Sequence, residues 1–214
     1  MKAVQQEAKR SALDYFPSRM TYPALKTASK DCKGCDLYRV GTQTVFGEGK
    51  VPSQLMFVGE VPGDYEDLQG HPFVGPAGKL FDRALEEAEI DRSKTYVTNV
   101  VKHFKWHPAP RGKRRIHEKP NAAEIRACTP WLVAEIKLVD PEILVCLGAT
   151  AAQALLGKDF RVTKQRGEWL ASEHVERTMA TMHPSAILRA PDPEMREQQY
   201  RDFVSDLVKI ARVL

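Results

Sequence analysis

Leu55-Met56-Phe57-Val58-Gly59-Glu60-Val61-Pro62-Gly63-Asp64 leads, after a Pro/Gly-rich stretch, into Ala77 to Glu89, where Leu80, Phe81, Ala84, Leu85 and Ala88 recur at helical spacing. The unbroken apolar run from Leu55 to Val58 reads as a strand buried on both faces and ending at Gly59. A buried strand, a polar loop and an amphipathic helix in that order are the opening of a βαβ unit. Tyr96 to Val101 supplies a second strand, and Asn121 is placed to cap a helix running to about Val139. Glu142 to Leu147 reads as a strand, Ala149 to Leu156 as a short helix, Arg177 to Met182 as a strand, and Glu194 to Val213 as a closing helix. This alternation predicts an α/β fold, three-layer α/β/α, with a central, mainly parallel, four-stranded sheet in a single domain. Residues 1–29, with scattered charge and Pro17 and Pro23, read as an N-terminal extension of unknown role with room for one short helix, and residues 30–214 as the domain.

The composition narrows the function. A chain of 214 residues with 43% apolar and 28% charged residues is ordinary for a globular protein, not a disordered tail. No run approaches the roughly 20 apolar residues that cross a bilayer. Met1 to Met20 lacks the apolar centre of a signal peptide, so the expectation is a cytoplasmic protein with no membrane partner. The formal charge is +4, but its distribution matters more. Between Lys102 and Lys119 stand seven lysines and arginines against Glu118 alone, a local charge of +6 that leaves the remainder at −2. One basic segment on a near-neutral body points to a localised anionic partner, with nucleic acid the obvious candidate.

The four cysteines are Cys32, Cys35, Cys128 and Cys146. Cys32-Lys-Gly-Cys35 has the short bite with which two thiolates meet one metal centre, and the other two must be brought in by the fold. Four ligands without a spare fit one four-thiolate site, zinc or iron–sulfur. The spacing favours such a site over a redox pair or unrelated buried thiols, and it does not choose between zinc and iron.

In open α/β sheets ligands sit beyond the carboxyl ends of the strands. Three predicted strand ends carry polar residues there: Glu60 with Asp64, Asn99 followed by Lys102-His103, and His183-Pro184-Ser185. Topology alone therefore converges Glu60, Asn99 and His183 on one rim.

Gly59-Glu60-Val61-Pro62-Gly63, His71-Pro72-Phe73-Val74-Gly75-Pro76-Ala77-Gly78, Thr98-Asn99, His183-Pro184-Ser185 and the four cysteines together resemble the iron–sulfur uracil-DNA glycosylases of family 4, over about Cys32 to Leu207. The segment Gly112-Lys113-Arg114-Arg115-Ile116-His117 is similar to the K-R-R-I-H loop of the UdgX subgroup, which excises uracil and becomes covalently attached to the DNA. The resemblance implies a base-excision DNA repair hydrolase acting on uracil-containing DNA. Single strands are the preferred substrate, because an unpaired base costs less to extrude. It also implies a [4Fe–4S] cluster on Cys32, Cys35, Cys128 and Cys146, serving structure rather than electron transfer. A monomer in the bacterial cytosol or nucleoid is the expectation.

The resemblance also assigns roles. Phe73 stacks on the extruded uracil, where the plainer role is a plug for its loop. Asn99 reads the N3–H and O4 edge with one amide, since an amide offers both a donor and an acceptor. Gly59 and Asp64 join the uracil-binding set. His183 donates a hydrogen bond to the departing O2. Lys113, Arg114, Arg115, Ser185 and Arg189 hold DNA, and His117 attacks C1′ of the sugar. Imidazole attacks only when neutral, and Arg114 and Arg115 beside it disfavour the imidazolium by like-charge repulsion. Glu60 orients His117, accepts its proton, or handles the sugar cation. One departure stands out: the subgroup reads G-E-Q-P-G, whereas here the glutamine position is Val61. Two other readings remain, a turnover glycosylase in which water takes the sugar cation, and a metal-stabilised nucleic-acid-binding module without catalysis.

Overall fold

The computed structural model describes residues 10–214. Its strands are β1 (Glu48–Gly49), β2 (Leu55–Gly59), β3 (Thr95–Asn99), β4 (Trp106–Pro108), β5 (Arg115–His117), β6 (Ile143–Leu147), β7 (Trp169–Leu170) and β8 (Arg177–Thr181). Its α-helices are α1 (Tyr22–Ser29), α2 (Asp64–Gln69), α3 (Pro76–Glu87), α4 (Ala122–Val139), α5 (Ala149–Leu156), α6 (Val162–Gln165), α7 (Pro184–Leu188) and α8 (Pro193–Ala211).

The main sheet has the order β1-β3-β2-β6-β8-β7. Its centre is the four parallel strands predicted, with β2 flanked by β3 and β6 and with β8 beyond β6. The predicted count of four is corrected to six. β1 pairs antiparallel with β3, and β7 antiparallel with β8. Each added strand is two residues long, too short to show a period-two pattern in sequence.

Alternation along the central strands builds two cores. Met56 and Val58 of β2 with Leu144 and Cys146 of β6 face α4, α5 and the N-terminal segment. Leu55 and Phe57 with Ile143 and Val145 face α3, α7 and α8. Both sheet faces are thus covered, which is why the strands read as continuous apolar runs. Asn121 caps α4 as expected: its side chain accepts from the backbone N–H of Ala123 and Glu124, and the Glu124 carboxylate accepts from the Asn121 N–H at 2.7 Å.

The segment read as an extension is packed from residue 10 onward. Ala12, in a 3-10 turn, and Leu25 of α1 are fully buried, and Phe16 lies 4.6 Å from Trp131 of α4 between ring centroids. Residues 1–9 lie outside the described part. The basic loop after β3 is a β-hairpin, with His117 of β5 opposite Trp106 of β4.

Candidate active site

A cavity of about 170 Å³ opens at the carboxyl ends of β2, β3 and β8, lined by Val61, Pro62, Gly63, Glu66, Phe73, Ala77, Asn99, His117, His183, Ser185 and Arg189. It has room for one small planar ring. The predicted Phe73, Asn99, His117, His183, Ser185 and Arg189 all line it. Glu60 stands at the end of β2 beside it.

The register of β2 and β3 sets Gly59 opposite Asn99. A Cβ on Gly59 would stand 2.3 Å from Asn99 Oδ1 and 2.8 Å from Phe73 Cζ, so a glycine is what lets the amide and the ring approach each other. Asn99 is buried. Phe73 adopts φ 58°, a left-handed conformation that is costly for an aromatic residue. Gly78 of α3 packs against the Phe73 backbone, where its Cβ would lie 1.7 Å from the carbonyl oxygen. The Phe73 ring lies near parallel to His183 at 6.1 Å and 5.3 Å from Phe81, which seats it on the α3 core. Glu66 ties the two loops of this wall together, accepting from the N–H of Gly63 at 3.0 Å and of Gly75 at 2.8 Å.

His183 precedes α7 and caps it. Its Nδ1 accepts from the Ser185 N–H at 3.1 Å and lies 2.8 Å from Ser185 Oγ. An Nδ1 that accepts a backbone N–H leaves the proton on Nε2 and fixes one tautomer. Burial lowers the His183 pKa to about 4, helped by the nearby charges of Arg189 and His117. His183 is therefore a neutral imidazole with Nε2–H as a donor. Ser185, predicted to hold DNA, has its hydroxyl on His183.

His117 reaches the cavity because the hairpin is pinned down. Arg115 Nε pairs with Asp64 at 2.5 Å and its Nη1 with the buried Asp67 at 2.6 Å, while its guanidinium covers Phe104. Trp106 Nε1–H donates to the Val40 carbonyl at 2.8 Å, and the Glu118 N–H to the Lys105 carbonyl at 2.9 Å. The His117 ring lies 6.1 Å from that of Phe104. Its pKa is lowered, first by desolvation, and the positive charges of Arg189 and Lys119 add to this against the opposing charge of Glu60. The cations acting on His117 are thus Arg189 and Lys119. Arg115 is occupied by Asp64 and Asp67, and Arg114 lies exposed with Lys113 toward the hairpin tip. Asp64, placed by sequence among the uracil-binding residues, faces Arg115 and is not in the cavity lining.

Three features escaped the sequence. Thr150 of α5 donates its hydroxyl to Glu60 Oε1. Lys102 is fully buried and pairs with the equally buried Glu135 of α4. Its Nζ also donates to Thr98 Oγ1 at 2.6 Å and to the Asn99 carbonyl at 2.7 Å. The third feature is Glu66. The hairpin was hidden as well, because each of its strands is three residues long and its only local signal is the Pro108-Ala109-Pro110-Arg111-Gly112 turn chemistry.

Cys32, Cys35 and Cys128 come near one another. Burial pushes the Cys128 thiol up to about 12 against the opposing charge of Lys102, and the charges of Cys35 and Cys32 act in the same direction as burial. The Trp131 indole N–H donates to Cys32 Sγ at 3.3 Å and the Lys102 backbone N–H to Cys128 Sγ at 3.3 Å, the kind of N–H···S bonds that support a thiolate cluster. Cys146 lies in β6 on the same sheet face, and its thiol is pushed up to about 12 by burial alone. Among the described residues no three His, Cys, Asp or Glu side chains are arranged to hold a single metal ion. Cys32 and Cys128, each accepting an N–H bond, have the chemistry of thiolate ligands, whereas none of the other cysteines acts on the thiol of Cys146.

The uracil DNA glycosylase superfamily model matches residues 46–208. A protein of Thermotoga maritima named type-4 uracil-DNA glycosylase is 39% identical over 178 residues, covering 81% of this chain and 86% of the relative. Proteins of the same name from Sulfurisphaera tokodaii and Archaeoglobus fulgidus are 37% and 35% identical, covering 80% of this chain each and 77% and 84% of the relatives.

Proposed function

The chain belongs to the uracil DNA glycosylase superfamily, and from that membership we propose that it excises uracil from DNA, single strands preferred, and then joins the abasic sugar to His117. One observation carries the reading: Phe73, Asn99, His183 and His117, from four separate elements, line a single cavity.

In this reading the Phe73 ring stacks on the extruded uracil and the Asn99 amide reads its N3–H and O4 edge. The C1′–N1 bond breaks with its electron pair passing to uracil, whose O2 receives a hydrogen bond from His183 Nε2–H. A neutral imidazole suits that task, because it stabilises developing charge without first giving up a proton. Glu60, held by Thr150, faces the positive charge left on the sugar. The neutral His117 ring then donates an electron pair to C1′, forming a C–N bond and an N-alkyl imidazolium. That cation loses its remaining N–H proton to Glu60 or solvent, and the released uracil anion takes one up. The lowered His117 pKa supports this step, since the attacking ring must be unprotonated.

The thiols support a [4Fe–4S] cluster held by Cys32, Cys35 and Cys128, with Cys146 the remaining thiolate that the chain offers. When bound, such a cluster supplies a rigid cross-link between α4 and the N-terminal segment. Breaking a glycosidic bond transfers no electrons. A brown protein whose colour bleaches on oxidation agrees with iron–sulfur, and a colourless zinc protein overturns it.

Mixing the protein with a deoxyuridine oligonucleotide tests the whole reading. A slow-migrating, denaturant-resistant band is expected on a gel, with free uracil in solution. His117→Gln removes that band and leaves free abasic product through attack by water. Full cross-linking by His117→Gln sinks the role of His117. Many turnovers per protein molecule select the second reading, a water-using glycosylase, which the names of the curated relatives favour.

A further inference from the structure

The site cavity does not end at the pocket mouth. A second cavity of about 240 Å³ shares Gly63, Glu66, Ala77, Ser185 and Arg189 with it and adds Tyr65 and Leu188. A third, of about 440 Å³, shares Pro76 and Leu188 with the second and adds Lys79, Arg83 and Arg196. The three form one groove running from the site between α3, α7 and α8. Its far cavity is lined from α3, α7 and α8, and the second includes Asp64, the partner of Arg115 in the hairpin.

The walls of this groove have a distinctive chemistry. Tyr65 is 54% exposed, a large aromatic surface left in solvent at the rim of the second cavity. Lys79 is exposed and pairs with no carboxylate among the described residues. Arg196 is exposed and gives one weak bond, at 3.4 Å, to the Leu188 carbonyl. The acids nearby are already engaged: Asp64 with Arg115, Glu197 with Arg201 at 3.3 Å, and Glu66 with the backbone N–H groups of Gly63 and Gly75. Arg83 lies over the Tyr200 ring at 4.1 Å and pairs with Glu87, so it lends positive potential and little free hydrogen-bonding capacity. A free aromatic face followed by uncompensated cations is what a single-stranded nucleic acid requires, because bases stack without regard to sequence and phosphates seek cations.

We propose that this groove holds the DNA strand on one side of the excised nucleotide, with Tyr65 stacked on a neighbouring base and Lys79 and Arg196 on the phosphates beyond it. The inference rests on the uracil-excision reading for what sits in the site itself. It adds where the strand goes and which residues grip it.

The test uses fluorescein-labelled single-stranded oligonucleotides carrying 2′-fluoro-deoxyuridine, which binds without being cleaved because the fluorine destabilises the sugar cation. Extending a short oligonucleotide by about three nucleotides on one side of the uracil tightens binding about tenfold, read by anisotropy, while the same extension on the other side gives a different gain. Tyr65→Ala removes most of the one-sided gain, and Tyr65→Phe retains it because stacking needs the ring and not the hydroxyl. Lys79→Gln and Arg196→Gln each flatten the dependence of log Kd on log salt, by about 0.7 for every phosphate no longer neutralised. A gain that is equal in Tyr65→Ala and wild type, or a salt slope that neither cation changes, overturns the groove. Uracil release from an unmodified oligonucleotide is scored separately, and its absence overturns the excision reading whatever the anisotropy shows.

Discussion

At the scale of single residues, the site depends on how closely three side chains approach. Gly59→Ala forces a Cβ into the Asn99 oxygen and the Phe73 ring, and displacement of either by about an ångström costs roughly a hundredfold in single-turnover uracil release, with the fold retained. His183 sets a pH limit. With its pKa near 4, it stays a neutral donor well below the range of an ordinary imidazole, and the acid limb that it imposes on uracil release falls near pH 4 rather than near 6.5. The same depression means that His183 contributes stability above its unfolded pKa and loses it as pH falls through about 4. A pH–rate profile checks the first statement. Replacement by Gln should remove that limb along with most of the rate. Thr150→Val tests the bond to Glu60: the ratio of covalent adduct to free abasic product changes, whereas Thr150→Ser, which keeps the hydroxyl, preserves it.

At the scale of elements, the hairpin carries His117 and Arg115 carries the hairpin. Arg115→Gln strips two carboxylates of their partner, one of them fully buried, and should cost about 2 kcal/mol of stability by denaturant unfolding. It lowers the rate of adduct formation more than that of uracil release, since His117 moves while Phe73, Asn99 and His183 stay on the sheet. How much of this was legible follows from the same distinction. Glu60, Asn99 and His183 sit at or just beyond the ends of regular strands, so the order of elements was enough to bring them to one rim, whereas Phe73, in a loop ahead of α3, was legible only through the family resemblance. Arg115 appeared as one more cation in a basic run, because nothing local shows that Asp64 and Asp67, about fifty residues earlier, would claim it. Thr150 and Glu66 were invisible for the same reason, each acting across a gap between elements. Lys102 was counted in the +6 of the basic segment, although it is fully buried against Glu135.

At the scale of the whole molecule, Lys102 and Glu135 form a hub between the sheet and α4. Glu135 accepts from the Gly47 N–H at 2.9 Å, from the Tyr96 hydroxyl at 2.8 Å and from Thr98, while Lys102 holds the Asn99 carbonyl and its backbone N–H meets Cys128. Lys102→Met leaves the Glu135 charge buried without a counterion and should cost about 3–5 kcal/mol, or roughly 10 °C in Tm for a chain of this size. Lys102→Met with Glu135→Leu, which removes both charges, recovers much of that loss. The hairpin has a different standing from this hub. Its two ends meet at the hydrogen bond between Glu118 and Lys105, and it contributes no strand to the main sheet. It is therefore a detachable part: a short turn joining Lys105 to Glu118, with Asp67→Asn to remove the buried charge that Arg115 had met, should yield a shortened protein that still releases uracil but leaves the DNA free, and a sheet that receives the excised segment needs carboxylates where Asp64 and Asp67 stand.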